Sequence, residues 1–422
     1  MKQTVISMLL AGIVSLPAIA QSAFEEINAN PALSAGKYYA YQAPEAKLTP
    51  VPEGYTPFYI STFARHGSRY LTKKKKYDSP LSILKEAARQ HKLTTDGQRA
   101  LNIIEKLAEE AAGRYGELTP KGAQQHKDLI RRMYTNYPQV FTDGTHVDAR
   151  STYKTRAFLS MAAACVELKG LNPRLAITTD VSEHDAYYIK YKNPTYEEAH
   201  LANADSVYIH PERLMKQLFI NADIVKDSRQ LMADLFELHG ISQSSYHQED
   251  LSFLFTSQER YDLWQRNNFE WYYEKGASPL SGSCMYKLER NLLRNFIETA
   301  DTVISSKKNC VTLRYGHDTN LAPLATLMGI DKLSFATADW QKIADTYRTY
   351  RIIPMCGNIQ LIFFHKLDND DILVKLLLNE HEVTLPLPTD TAPYYHWKDV
   401  RNYWQKIVDA IELPAVDSNT TD

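Results

Sequence analysis

The sequence predicts an α/β fold: a mixed sheet flanked by helices on both faces, with an inserted α-helical cap domain. Three observations lead there. Runs of β-branched and aromatic residues, such as 58–63 and 311–314, end in polar turns and alternate with helical stretches. A polar, helical stretch rich in aromatic residues, from about 183 to 299, interrupts that alternation. Two more strand-like runs, 358–365 and 372–378, flank the polar turn 366–371 in the manner of a hairpin.

Taken in order, residues 1–20 have the form of a secretory leader. Lys2 supplies a positive start, 5–16 is mostly apolar but short for a bilayer, and Ala18-Ile19-Ala20 has the small-x-small form of a cleavage site before Gln21. No cysteine follows that site, so no lipid anchor is expected, and the mature protein is expected to be periplasmic or secreted. The run 58–63 reads as a strand. Ser79-Pro80 can open a helix, and Leu101, Ile104 and Ala108 keep helical spacing in the next one. Thr119-Pro120 reads as an N-cap with proline at the first helical position, followed by Leu129, Ile130 and Met133 on adjoining turns. An alanine-rich helix over 157–168 precedes a strand at 176–179. Trp264, Phe269, Trp271, Tyr272 and Tyr273 cluster in the cap, and 397–411 reads as a last helix. These readings give a first core part over 21–180, a cap over 181–299 and a second core part over 300–422, with 418–422 frayed.

With 422 residues the chain is long enough for one large domain with an insertion. A charged fraction of 23% and a formal net charge of −2 indicate neither nucleic acid nor an anionic membrane as partner. Cys165, Cys284, Cys310 and Cys356 permit two disulfides in an exported protein, in three alternative pairings; buried free thiols are the other reading. They contain no Cys-x-x-Cys unit, so they make a poor metal pattern.

Two stretches carry chemistry. In Phe63-Ala64-Arg65-His66-Gly67-Ser68-Arg69 one histidine lies between two arginines just past a strand. An imidazole nitrogen can act as nucleophile while guanidinium forks grip phosphate oxygens. In Tyr315-Gly316-His317-Asp318-Thr319-Asn320-Leu321, again past a strand-like run, the His-Asp pair can supply a donor and a carboxylic acid. A lone Arg-His-Gly triplet is weak, and Asp-Thr is a common helix start. The longer patterns, in this order, resemble the two motifs of the histidine acid phosphatases, branch 2 of the histidine phosphatase superfamily. A third segment, Asp148 to Thr155, resembles the one that supplies a further phosphate-binding arginine, here Arg150. Leu118-Thr119-Pro120-Lys121-Gly122 and Pro354-Met355-Cys356-Gly357-Asn358 are softer echoes.

The resemblance implies phosphomonoester hydrolysis in two steps without metal or cofactor. It makes His66 the nucleophile, Asp318 the acid, and Arg65, Arg69, Arg150 and His317 the phosphate ligands. The partner is a small-molecule phosphate monoester. Thr72 and the run Lys73-Lys74-Lys75-Lys76 follow the first motif at once. Thr72 and Lys73 are therefore candidate substrate contacts, and a solvated basic loop is the alternative. Arg-His-Gly-Ser-Arg-Tyr looks most like multiple inositol polyphosphate phosphatases, whereas His-Asp-Thr-Asn looks like many bacterial phytases and acid phosphatases. The expected substrate is phytate or another inositol polyphosphate; the alternatives are a broad acid phosphatase, a sugar-1-phosphatase, or a non-catalytic binder of phosphorylated sugars. An intact nucleophile and acid argue against the binder. The leader argues against a phosphomutase of the other branch.

Overall fold

A computed structural model describes residues 21–182, 184, 187–189, 199–246, 250–282, 285–366 and 369–412. The leader, Cys284 and the frayed tail expected at 418–422 lie outside these. In chain order the strands are β1 (Tyr55–Arg65), β2 (His146–Ser151), β3 (Ala176–Asp180), β4 (Cys310–Gly316), β5 (Asn358–Lys366), β6 (Ile372–Leu378), β7 (His381–Glu382) and β8 (Tyr394–His396). The helices are α1 (Ala23–Ala29), α2 (Lys75–Arg89), α3 (Thr95–Ala111), α4 (Pro120–Asn136), α5 (Thr155–Leu171), α6 (Ala199–Tyr208), α7 (Glu212–Leu218), α8 (Ser228–Ser242), α9 (Ser257–Lys275), α10 (Arg290–Ser306), α11 (Asp318–Met328), α12 (Trp340–Thr346), α13 (Thr349–Ile352) and α14 (Trp397–Ala410).

The sheet runs β3-β2-β4-β1-β5-β6-β7, with β8 beside β6. β3, β2, β4 and β1 are parallel neighbours, and β5 and β6 add antiparallel to β1, so the sheet is mixed as expected. Alternation along β1 sorts its side chains onto two faces. Tyr59 and Phe63 join Phe296, Leu321 and Trp404 from α10, α11 and α14. Ile60 and Ala64 join Ile130, Met133, Met161 and Ala164 from α4 and α5. Both faces are thus covered by helices, and the strand ends are left free for a ligand.

A separate apolar core joins Leu214, Leu235 and Phe236 of α7 and α8 to Leu84 of α2 and Leu101, Ile104 and Leu107 of α3. The helical layer therefore draws on segments before the second strand, and α10, which begins within the expected cap, packs on the sheet instead. The expected boundaries 181–299 do not coincide with this layer. An amphipathic repeat shows that a helix has a buried face, not which partner covers it. α2 also begins at Lys75, so Pro80 lies inside it rather than at its start. Cys165, Cys310 and Cys356 are free thiols, so the expected pair of disulfides does not form among the described cysteines. Cys356 is buried against His126 Nδ1 at 3.6 Å instead. Among the described residues no helix is long and apolar enough to cross a membrane.

Candidate active site

The parallel register of β1 and β4 pairs Arg65 with Gly316. The next residue on each strand is a histidine, so His66 and His317 emerge side by side, their rings 5.6 Å apart. They lie beyond the carboxyl ends of adjacent strands, where open α/β sheets bind ligands.

The backbone around His66 is pinned from every side. Arg65 N donates to Gly357 O at 2.8 Å, His66 N to Gly316 O at 3.0 Å, and Cys356 N to His66 O at 3.0 Å. Gly67 packs on the first turn of α4: a Cβ there would sit 2.3 Å from Gly122 O, and one on Gly122 would sit 2.2 Å from Ser68 O. Only glycine fits at either position. Thr119 caps α4 and its N and Oγ1 both donate to Ser68 O, at 2.9 and 3.1 Å. Ser68 N donates to Gln125 Oε1 at 2.9 Å. The two softer sequence echoes are therefore the clamps that hold the histidine loop.

His66 is 1% exposed. Its Nδ1 lies 2.9 Å from Gly67 O. A carbonyl only accepts, so Nδ1 carries the hydrogen and Nε2 keeps its lone pair. Burial, then the charges of Arg65, Arg69, His317 and Arg156, push the His66 pKa well below the usual imidazole range. The ring is thus neutral and nucleophilic even in acid.

The guanidinium groups divide their work. Arg65 is fully buried; its Nη1 donates to Lys37 O at 2.5 Å and Ile353 O at 2.6 Å, and its Nη2 meets Asp318 Oδ2 at 2.7 Å. Burial lowers its pKa to about 10, although Asp318 opposes this. Arg69 donates from Nη1 to Tyr70 O at 2.8 Å and stacks 5.6 Å from the Tyr38 ring centroid.

Arg150 is elsewhere. It lies within β2, its Nε 2.8 Å from Asp148 and its Nη1 3.6 Å from Asp180. It is not among the charges acting most strongly on His66, His317 or Asp318. Arg156, in the first turn of α5, stands in the place expected of it. It acts on both histidines, and Ser160 Oγ ties its carbonyl at 2.8 Å to Gly67 N at 3.1 Å. The signal for this was the strand register. His66 and His317 both follow their strands, whereas Arg150 is opposite Arg314, before β2 ends at Ser151. An arginine reaching the strand ends had to come later in the chain. Among the described residues, Nε of Arg65, Arg69 and Arg156 has no hydrogen-bond partner, which leaves inward donors for an anion.

Asp318 opens α11. Burial would raise its pKa, but Arg65, Lys37, Arg69 and His317 hold the carboxyl well below the ordinary range. His317 Nε2 lies 3.0 Å from Thr152 Oγ1. Burial, then Arg156, Arg65 and Arg69, lower its pKa to about 4 against the pull of Asp318. Asn320 braces the motif: Oδ1 accepts from His317 N at 3.3 Å, and Nδ2 donates to Glu289 Oε1 at 3.0 Å and Ile189 O at 2.8 Å.

Thr72 and Lys73 are exposed on the loop before α2. Lys74 pairs with Asp78. Lys76 alone of the run turns inward, to Glu237 at 2.7 Å, and lines a cavity of about 590 Å³. Among the described residues no group of three or more His, Cys, Asp or Glu side chains is arranged to hold a metal ion.

Residues 60–379 match the model of the histidine phosphatase superfamily, branch 2. The chain belongs to that family. It is 23% identical over 442 residues to multiple inositol polyphosphate phosphatase 1 of Gallus gallus, covering 95% of this chain and 94% of that protein. The fold is similar to multiple inositol polyphosphate phosphatase of Bifidobacterium longum, solved in complex with inositol hexasulfate. The TM-score is 0.70 and the identity 20%, over 88% of this chain and 97% of that one. The phytase from D. castellii has a TM-score of 0.69 and 15% identity, over 90% and 86%. The family membership agrees with the resemblance carried by the two motifs and with a phosphatase.

Proposed function

We propose that this histidine phosphatase is an exported enzyme that hydrolyses inositol polyphosphates through a phosphohistidine. The observation that carries the reading is His66: neutral, its Nδ1 hydrogen committed to Gly67 O, and set among three guanidinium groups opposite the Arg65–Asp318 pair. Nε2 attacks phosphorus as the bond to the leaving oxygen breaks. Arg65, Arg69, Arg156 and His317 take the charge on the phosphoryl oxygens. The leaving alkoxide needs a proton. Asp318 is ionised against Arg65, so that proton arrives with the substrate: a phosphate monoanion engages the arginines, their pull on Asp318 weakens, and the remaining phosphate proton passes to the carboxyl, which donates it to the leaving oxygen. In the second step water attacks phosphorus, the N–P bond breaks, and Asp318 accepts the proton of the water.

Inositol polyphosphates are favoured by the relatives, whose names specify them or phytase. Export is supported by the leader-like residues 1–20, followed almost at once by an ordered helix capped by Ser22. Protein isolated from its host should begin at Gln21. The mechanism is tested by mixing enzyme with labelled phytate and quenching rapidly. The wild type is expected to carry an acid-labile phosphate on His66, and His66→Ala to lack it and lose turnover by about 10⁴-fold or more while still binding phytate. Phosphate on an aspartate or serine would overturn the assignment.

A further inference from the structure

The N-terminal segment contributes a cation to the site. A 3₁₀ segment, Pro31–Tyr38, follows α1 and lies against α8, α9 and α13. It is fixed there. Gly36 takes φ +55°, and a Cβ on it would meet Thr349 Oγ1 at 3.0 Å. The Lys37 carbonyl accepts from buried Arg65, and Tyr38 lies under the guanidinium of Arg69. The Lys37 backbone is thus anchored by Arg65, and its neighbour Tyr38 by Arg69, the two arginines that flank the nucleophile.

Its side chain is half-buried, with Nζ 5.2 Å from the ring centroids of both Tyr38 and Trp271. Two aromatic faces hold an ammonium in place without neutralising it. The charge reaches Asp318 on one side and Glu237 on the other. Lys37 lines the 590 Å³ cavity together with Tyr38, Lys76, Glu237, Arg266 and Trp271. There Lys76 is paired with Glu237, and Arg266 with Asp205 and Glu270. Among the described residues Lys37 makes no ion pair, and of the cavity's cations only Arg229 shares that state. Among the described residues Arg229 makes no hydrogen bond or ion pair with the His66 cluster, whereas Lys37 is tied to it through Arg65 and through its charge on Asp318.

We propose that Lys37 is a specificity-determining residue: its ammonium binds a phosphate of the substrate other than the one His66 attacks. This rests on the phosphatase reading above. It selects esters with at least two phosphates on one small ring, because a lone phosphate in the arginine cradle presents nothing to the cavity. Lys76, already satisfied by Glu237, contributes less. The apolar stem of Lys37 and its aromatic neighbours keep the ammonium partly desolvated, so a charge-assisted contact here is worth about 1.5–3 kcal/mol, or roughly 10–100-fold in affinity.

The test compares Lys37→Met and Lys37→Arg with wild type on phytate and on glycerol 2-phosphate, two alkyl esters that differ in phosphate number. Lys37→Met is expected to raise KM for phytate at least about tenfold, with a smaller loss on glycerol 2-phosphate. Lys37→Arg is expected to restore most of the difference. Equal losses on both esters, or none, would overturn the proposal, and so would failure of arginine to restore the split. If wild type hydrolyses neither ester, the phosphatase reading fails by itself. Calorimetric binding of phytate to the His66→Ala and His66→Ala/Lys37→Met proteins still decides the role of Lys37, because equal affinities would exclude it.

Discussion

At the strand ends, three guanidinium groups from β1, the loop after it and α5 face one carboxylate, Asp318. In the cavity alongside, carboxylates stand against two of the four cations: Glu237 against Lys76, and Asp205 and Glu270 against Arg266. The first region is left short of negative charge and is fixed by backbone hydrogen bonds. The second is compensated within itself. A phosphate anion entering the first repairs an imbalance built into the fold, whereas a polyanion entering the second competes with acids already in place. Catalytic affinity should therefore be strong and general. Discrimination among substrates should depend on the few unpaired cations that project between the two regions.

The largest effect is expected at Asp318, the carboxylate that the guanidinium groups face. Asp318→Asn is expected to slow alkyl phosphates about 10²–10⁴-fold and the first step on nitrophenyl phosphate far less, because a nitrophenolate leaves without a proton. Single-turnover rates on both substrates check this; equal losses would make the residue positional. The pH dependence follows from the same pair of groups. His66 must be neutral, and its depressed pKa keeps it so well into acid. Asp318, also depressed, is ionised in the free enzyme, so the required proton belongs to the substrate monoanion, whose second ionisation lies at about 6. The ratio kcat/KM is expected to peak below that pH and to fall about tenfold per unit above it. A rise towards alkaline pH would contradict the scheme.

The next test moves one arginine at a time. Arg156→Ala should cost about 10²–10³ in kcat/KM, the usual loss for one donor to transition-state charge. Arg150→Ala, which removes a partner of Asp148 and Asp180, should stay within about threefold. The reverse ranking would return Arg150 to the cradle. The smallest effect is expected at the exposed end of the lysine run. Lys73→Ala/Lys74→Ala should change phytate kinetics by no more than about twofold at 0.1 M salt, where exposed charges are screened over roughly 10 Å. A larger and salt-sensitive change would extend the specificity surface beyond Lys37.

Strand ends were the readable part of this molecule. His66 and His317 could be placed because each follows an apolar run and carries a motif, and a parallel pair of strands brings such positions together. Arg156 was harder: the segment that carried the resemblance stops at Thr155 and contains Arg150, and the register of β2 on β4 shows that Arg150 lies before the strand end. Lys37 carries no local signal at all. It reaches the site through a hydrogen bond to a residue 28 positions away, a tertiary fact that composition and periodicity do not encode. The helical layer was legible as helices but not as a unit, because α2 and α3 join it across a long stretch of chain. An even number of cysteines suggested bridges, yet Cys356 is taken up in packing against His126.

The guanidinium of Arg65 touches Lys37, Asp318 and Ile353, so one side chain joins an early segment of the chain to its last third. A chain growing from the ribosome makes Lys37 and Arg65 early, but it cannot complete this junction until more than three hundred residues have emerged. The nucleophile and its cradle then come together in one of the latest long-range steps, of the kind that slows folding. A chain truncated before Asp318 lacks the carboxylate partner of Arg65 and cannot assemble the site.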